Sequence, residues 1–228
     1  MSPSAGSFRT SLFSAFPDSP FAVAVVARGT TVTPGLADVH RQVSRAREQI
    51  FVGGGHLRGA ERDGDDLRAY SVAVVENLGG GFGRIGGHVR LIPRTVGDSE
   101  SALPIEHYFP RALPRDREGR PDLAGAFEIS RLFTVHEEAR LQARMLVLLI
   151  AYAAGLAASL GWGTAYAMLG SELLRVFRAY VPAMEPLAEG RLLESYPTAK
   201  TPVRIRREDY ERIALPEPRS TYFAPGRG

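Results

Sequence analysis

Cysteine is missing from all 228 residues, and lysine nearly so: of 28 basic residues, Lys200 is the one lysine. The first absence removes disulfide staples, thiolate nucleophiles and cysteine-ligated metal, and suits a reducing compartment. The second reads as an arginine-rich genome composition. A net charge of +3 and a pI near 9.4 permit an anionic partner. Yet no basic run interleaves with aromatics and no helix-turn-helix or zinc-finger spacing occurs, so nucleic acid is not expected. Met1 to Phe16 lacks the charged n-region and apolar h-region of a secretory signal, which sets the expectation of a cytoplasmic protein. No Gly-x-Ser-x-Gly elbow, His-Glu-x-x-His pair or phosphate loop ending in Gly-Lys-Ser/Thr is present. His40, His56, His88, His107 and His136 are scattered without metal-ligand spacing, and no metal is expected. His88 stands out because it shares a strand face with Arg90. From Met145 to Ser171 there is no charge at all. Gly161-Trp162-Gly163 divides that stretch into a helix of sub-spanning length and a strand over Thr164 to Leu169, so no membrane span is expected.

What is present suits one globular domain. With 44% hydrophobic and 23% charged residues the chain has ample length for a core. The boundaries are a loose arm over 1–19, a domain over 20–205, and a Pro/Arg-rich tail over 206–228. Within the domain, Phe21 to Ala27 reads as a strand. Leu36, Val39, Val43, Ala46 and Ile50 recur at helical spacing behind Pro34, and Gly53-Gly54-Gly55 ends that helix. Tyr70 to Glu76 and Arg84 to Pro93 read as a hairpin, with Ile85, Val89 and Leu91 opposite His88 and Arg90. Gly81-x-Gly83-x-x-Gly86 has the letters of a dinucleotide fingerprint, but a strand follows it where that motif requires a helix. A long loop holds a short helix near Ile105 to Phe109. Thr134-x-x-Glu137 has the form of a capping box opening a helix near His136, and Ser171 caps a last helix to Tyr180. A short edge strand near Val203 to Ile205 closes the domain. This order of elements implies an α/β (α+β) fold whose mixed, mainly antiparallel central sheet carries helices on both faces.

Phe127 to Val135 is the segment that raises a chemical question. Phe127, Ile129, Phe133 and Val135 alternate as in a buried strand, yet Glu128 and Arg131 lie among them. A buried charge costs several kcal/mol unless paired, so the strand either pairs these two or uses them. In a regular strand they face opposite sides. Either a bulge falls between them, or Arg131 supports the sheet from behind.

Arg47-x-x-x-Phe51, Asp63-x-x-Asp66, Gly87-x-x-Arg90-Leu91-Ile92-Pro93 and Glu128-Ile129-Ser130-Arg131, in that order, resemble the motif set of the acyl-homoserine-lactone (autoinducer) synthases of bacterial quorum sensing. The similarity covers roughly Phe21 to Arg204. It implies the GNAT-like acyltransferase fold and a fatty acyl donor carried on the phosphopantetheine of acyl carrier protein, with no bound cofactor. It also implies S-adenosylmethionine as a candidate acceptor. The family's tryptophan shortly after the phenylalanine is absent, with Gly53 to Leu57 in its place. Leu103-Pro104-Ile105-Glu106-His107-Tyr108-Phe109 resembles a segment of the long-chain N-acyl amino acid synthases and exosortase-associated acyltransferases. The resemblance therefore implies amide formation more firmly than it implies the acceptor.

Acyl transfer from a thioester to an amine needs a proton acceptor, oxyanion donors and a seat for the phosphopantetheine. Glu128, its pKa raised by burial, is the expected base, with Arg90 and Arg131 holding it or an acceptor carboxylate. Arg47, Phe51, Asp63, Asp66 and Ser130 are expected to bind the acceptor, the aspartates meeting its ammonium or Arg47. Thr134, Val135 and His136 are expected to seat the phosphopantetheine phosphate at a helix N-terminus. A non-catalytic acyl or amino-acid binding module on the same fold is the reading from a different class.

Overall fold

The computed structural model describes residues 12–13, 21–26, 34–59, 63–77, 82–95, 98, 101–119 and 121–214. Apart from Leu12 and Phe13, the arm expected over 1–19 lies outside the described residues, as does the tail beyond Ala214. Among the described residues, nine strands form one sheet. They are β1 (Leu12–Phe13), β2 (Phe21–Val26), β3 (Tyr70–Asn77), β4 (Phe82–Pro93), β5 (Phe127–Thr134), β6 (Ala165–Leu169), β7 (Glu185–Pro186), β8 (Arg191–Leu193) and β9 (Tyr196–Ile205). Their order is β1-β2-β3-β4-β5-β6-β9-β7, with β8 paired to the other end of β9. Every pairing is antiparallel except β5 with β6.

Helices α3 (Ala139–Ser159), α4 (Ser171–Tyr180) and α5 (Arg207–Glu211) cover one face. There Met145 and Leu149 of α3, Phe177 of α4 and Tyr210 of α5 pack with Val72, Val74, Leu91, Phe127 and Leu132. Helix α1 (Pro34–Arg47) sets Val39 and Val43 on Ala73 and Val75 of the opposite face, and α2 (Pro104–Tyr108) buries Ile105 near Ile92 and Tyr166. Consecutive residues of β3 are thus buried on alternate sides, as an inner strand requires. Close approach explains Gly87: a Cβ there would stand 2.8 Å from Leu149 Cδ1 and 3.0 Å from the Phe133 carbonyl oxygen. The glycine lets α3 lie tight on β4.

The expected hairpin, the short helix before β5 and the strand after Gly161-Trp162-Gly163 are all present. Gly83 and Gly86 lie inside β4, in keeping with the rejected dinucleotide reading. Several expectations are corrected. Ile85 shares the α1 face with Val39 and Val43 instead of the face of Val89 and Leu91, because the β3/β4 register shifts between Val74 and Val75 and the extra residue on β4 reverses the alternation. The capping box at Thr134 does not form: α3 begins at Ala139 behind Glu138, so Thr134 stays in β5. Ser171 is the first residue of α4 and Gly170 its cap. At 21 residues α3 is long and apolar enough to cross a membrane, against the shorter helix expected. Its buried side chains Met145, Leu149, Ile150, Ala153 and Ala157 belong to the core under the sheet. The short edge strand expected near Val203 is the end of a ten-residue inner strand, since β9 lies between β6 and β7. The tail expected from 206 forms α5, where the Tyr210 hydroxyl donates to the Trp162 carbonyl at 2.6 Å and the ring packs on Phe127.

Candidate active site

The site lies on the α1 face, over the middle of β4 and β5. On β5 the alternation fails at one residue. Arg90 pairs with Ser130 and His88 with Phe133, so Arg131 and Leu132 together oppose Val89 alone. Arg131 takes φ of +50°, unique among the described non-glycine residues. This is the bulge that reconciles the two charges: Leu132 goes to the α3 core, while Glu128, Ser130, Arg131 and Phe133 share the opposite side. A left-handed arginine costs on the order of 1–3 kcal/mol and persists where its surroundings over-determine it. The same strand leaves its other neighbour early. Pairing with β6 covers Phe127, Glu128 and Ile129 against Ala165, Tyr166 and Ala167; beyond them β6 follows β9 and β5 follows β4. From Ser130 onward the two strands diverge, and the β5 edge facing the gap has no ladder partner among the described residues.

Three arginines and two aspartates meet over β4 and β5 beside this gap. Asp63 caps a single 3-10 turn, Gly64–Leu67, accepting from the Asp65 amide at 3.1 Å, and the turn aims Asp63 and Asp66 at β4. Arg90, 1% exposed, donates through Nη1 to Asp63 at 2.7 Å and to Asp66 at 2.8 Å, and through Nε to Ser130 Oγ at 2.9 Å. Arg47, the last residue of α1, makes a forked pair with Asp66 at 2.8 and 3.2 Å. Arg131 reaches Asp63 at 3.4 Å and the Tyr196 hydroxyl at 3.2 Å. Burial alone would raise the Asp66 carboxyl, but the hydrogen bonds and charges of Arg47 and Arg90 pull it down to about 2. Although burial opposes its charge, Arg90 is held more firmly protonated by Asp63 and Asp66. Phe51 sits in a π-helical turn, Glu48–Gly53, that continues α1; its ring meets Phe133 edge-on at 6.0 Å, with the Arg131 guanidinium 5.6 Å from its centre.

Glu128 is held differently. It is 1% exposed, and one carboxyl oxygen accepts from the Ile105 amide at 2.8 Å; the other has no hydrogen-bond partner. Burial pushes its pKa up to about 8, outweighing the Ile105 amide and Arg90, which pull it down. Of the two expectations for Arg90 and Arg131, holding Glu128 or an acceptor carboxylate, the first is corrected: both guanidiniums are drawn to the 3-10 turn, and a backbone amide from α2 takes their place at Glu128. Asp63 and Asp66 are engaged by arginines, and Asp66 is the one Arg47 takes.

Other contributors lie outside the expected site set; the sequence marks His88 only by the strand face it shares with Arg90. His88 is fully buried; Nδ1 lies 3.1 Å from the Arg131 carbonyl oxygen and Nε2 lies 3.2 Å from Ser71 Oγ. A carbonyl only accepts, so the proton sits on Nδ1 and the Ser71 hydroxyl donates to Nε2. Burial, with the Arg47 charge, holds His88 well below its ordinary pKa, hence neutral. Tyr196 is reached only because β9 begins earlier than its sequence suggested. Thr134, Val135 and His136 lie beyond this cluster: the Thr134 carbonyl accepts from Gln142 Nε2 at 2.9 Å, Val135 is half exposed, and His136 Nδ1 accepts from the Glu138 amide at 2.9 Å. With α3 opening three residues later, the helix terminus they were expected to form is not at His136.

No family model matches the chain, and no curated protein does. Solved structures do. The acyl-homoserine-lactone synthase LasI superposes with a TM-score of 0.63 at 17% identity, covering 88% of this chain and all of LasI. BjaI, a CoA-dependent acyl-homoserine lactone synthase solved with SAM and isopentyl-CoA, gives 0.58 at 24% identity, covering 90% and 88%. FeeM, an N-acyl amino acid synthase from uncultured soil microbes, gives 0.55 at 10% identity, covering 86% and 95%. At these identities the likeness is one of fold, and the fold is the GNAT-like one expected.

Proposed function

We propose that the chain is an N-acyltransferase that moves a fatty acyl group from a phosphopantetheine thioester to the amine of an amino-acid-like acceptor. The observation that carries this reading is Glu128, a buried carboxyl with one unpartnered oxygen and a pKa near 8, beside the gap where β5 leaves β6. The pantetheine arm carries two amides and is suited to the unpaired β5 edge, as an added strand would be. With the thioester in the gap, Glu128 acts in its ionised form, whose share grows as pH rises toward 8, and takes a proton from the acceptor ammonium. The freed amine attacks the thioester carbon; the tetrahedral intermediate collapses to an amide as the C–S bond breaks, and the second proton of the attacking nitrogen passes to the departing thiolate. The unpaired β5 amides are suited to steady the oxyanion.

The leading acceptor is S-adenosylmethionine: after acylation its carboxylate attacks its own γ-carbon, the carbon–sulfonium bond breaks, and methylthioadenosine leaves an acyl-homoserine lactone. The order of the Arg47, Asp63, Asp66, Arg90, Glu128 and Arg131 positions supports it, as does the fold shared with LasI and BjaI. The fold shared with FeeM, and the missing tryptophan, support a long-chain N-acyl amino acid as the second reading. We favour acyl carrier protein as donor carrier because no glycine-rich pyrophosphate loop opens α3; BjaI is CoA-dependent on the same fold. Thiol release with acyl carrier protein and with CoA thioesters, each against S-adenosylmethionine and the common amino acids, tests all versions, with products identified by mass spectrometry. Amide product from any pair supports the reaction. No release above buffer while ligands still bind makes the chain a binding module.

A further inference from the structure

The bank of the gap opposite the 3-10 turn is built by β9. Tyr196 and Lys200, four apart on that strand, project to one side. Arg131 Nη1 donates to the Tyr196 hydroxyl at 3.2 Å, and the Lys200 ammonium stands 4.9 Å from the centre of the Tyr196 ring. Lys200 Nζ also lies against the end of β6, 3.6 Å from where a Cβ on Gly170 would be. Tyr196 therefore touches a cation from each bank of the β5/β6 divergence, Arg131 at its hydroxyl and Lys200 at its ring. Lys200 is half-buried, and among the described residues it has neither a hydrogen bond nor a carboxylate within ion-pair distance. Burial first, and then the charge of Arg131, lowers its pKa. An ammonium beside an aromatic face and near a guanidinium, with no carboxylate partner among the described residues, is placed to take up an anion. It is also the single place where this chain uses the compact three-donor ammonium instead of arginine's planar fork.

We propose that Lys200 and Arg131 together form the receptor for the carboxylate of the acceptor. The inference rests on the proposed acyl transfer and sharpens it. An amino acid carries its ammonium and carboxylate on one carbon, so a base and a carboxylate receptor must stand within one small molecule of each other. Glu128 and Ser130 flank the start of the divergence, Arg131 follows them on the same side of β5, and Lys200 faces it from β9.

Because Lys200 is the sole lysine, reductive methylation with 13C-formaldehyde labels it and the N-terminal amine alone, and the Lys200→Arg spectrum assigns the two signals. Titration uses S-adenosylmethionine, methionine and the other common amino acids, the decarboxylated amine of each amino acid that responds, and phosphopantetheine. A saturable Lys200 shift with a carboxylate-bearing acceptor, absent with its decarboxylated amine, is the expected result. No shift with any acceptor, or a shift with phosphopantetheine instead, overturns it, the latter making the pair a phosphate receptor for the donor. In turnover, Lys200→Met raises KM for the carboxylated acceptor ~10-fold or more and for the decarboxylated amine far less, the scale of one charge-assisted hydrogen bond. Equal losses for both count against it. Absence of turnover with every acceptor defeats the proposed reaction, while the 13C titration still reads the carboxylate site.

Discussion

Two charged regions share one face of this sheet and are treated in opposite ways. Around the 3-10 turn, Arg47, Arg90 and Arg131 meet Asp63 and Asp66, and each carboxylate is bound by two guanidiniums. A few residues away Glu128, more deeply buried than either aspartate, receives one backbone amide and keeps an oxygen unbound. The consequences diverge in sign, since Asp66 is driven down to about 2 and Glu128 up to about 8. The arginine network holds the loop, α1 and β4 together, and within it Asp66 stays ionised near neutrality. The unsaturated Glu128 carboxyl contributes little to the fold and exchanges its proton near neutrality. The lesson is to ask of each buried charge what is left unbonded.

The comparison is broken most severely at Arg90. Arg90→Met keeps much of the volume but leaves Asp66 with Arg47 alone and Asp63 with Arg131 alone, so unfolding free energy should fall by about 2–4 kcal/mol, read by urea denaturation at pH 7. Arg90→Lys should recover only part, because an ammonium cannot reproduce the fork to Asp63 with Nε on Ser130. A loss below ~1 kcal/mol for Arg90→Met would mean the network is not structural.

At Glu128 the same operation should act on rate instead of stability. Glu128→Gln retains size and the Ile105 contact, and acyl transfer should drop by ~100-fold or more, the scale of a positioned base. Stability should move the other way. The native carboxyl binds its proton up to about pH 8 while the unfolded one releases it near 4.5, so the native state loses stability as pH rises between those values. The glutamine variant lacks this slope and should be the more stable protein at pH 8. A wild-type denaturation midpoint that rises from pH 5 to pH 8 relative to the variant would remove Glu128 from this role.

How much of this was legible beforehand follows from the range of the interactions. The hairpin, α1 and the split after α3 are written in local periodicity and glycine placement, and they appear where expected. That Glu128 lies buried was readable from Phe127 and Ile129 on either side. Its partner was not, because Ile105 lies 23 positions away and contributes only its amide, which no side-chain motif records. Alternation along β5 permits either a bulge or an arginine behind the sheet. What decides it is the pairing of β5 with β4 and the His88 bond to the Arg131 carbonyl, both contacts between distant segments. Thr134-x-x-Glu137 misled because a capping box is a local signal, and β5 kept Thr134 in its ladder with Gly87.

His88 tests whether that bulge is held from outside. His88→Leu removes the donor to the Arg131 carbonyl and the acceptor for Ser71, and should cost about 1–3 kcal/mol. His88 is neutral in the native state and its pKa is depressed, so the unfolded chain takes up a proton first as pH falls through ~6.5. The wild type should therefore weaken from pH 7 to pH 5.5 by an increment that the leucine variant lacks. For acceptor-dependent turnover, a loss seen mainly in KM would indicate that Arg131 has shifted. A fully active variant with unchanged stability would show that the left-handed turn needs no such support.

The smallest effect expected is at Asp66, and it completes the contrast with Glu128. The Asp66 carboxyl is depressed from 3.8 to about 2, so its contribution is complete above pH 3.8 and disappears as pH falls to about 2. Partial exposure of the side chain, 22%, brings the expected size down to about 1–2 kcal/mol. Asp66→Asn should lower stability at pH 5 by that amount and by progressively less toward pH 2, where the native aspartate is itself protonated. Plotted as wild type minus variant, the Asp66 difference rises with pH between 2 and 4 and the Glu128 difference falls between 4.5 and 8. If the Asp66 difference is flat across that acid limb, its two arginines are doing no more than a solvated pair would, and the saturated half of the comparison loses its electrostatic basis.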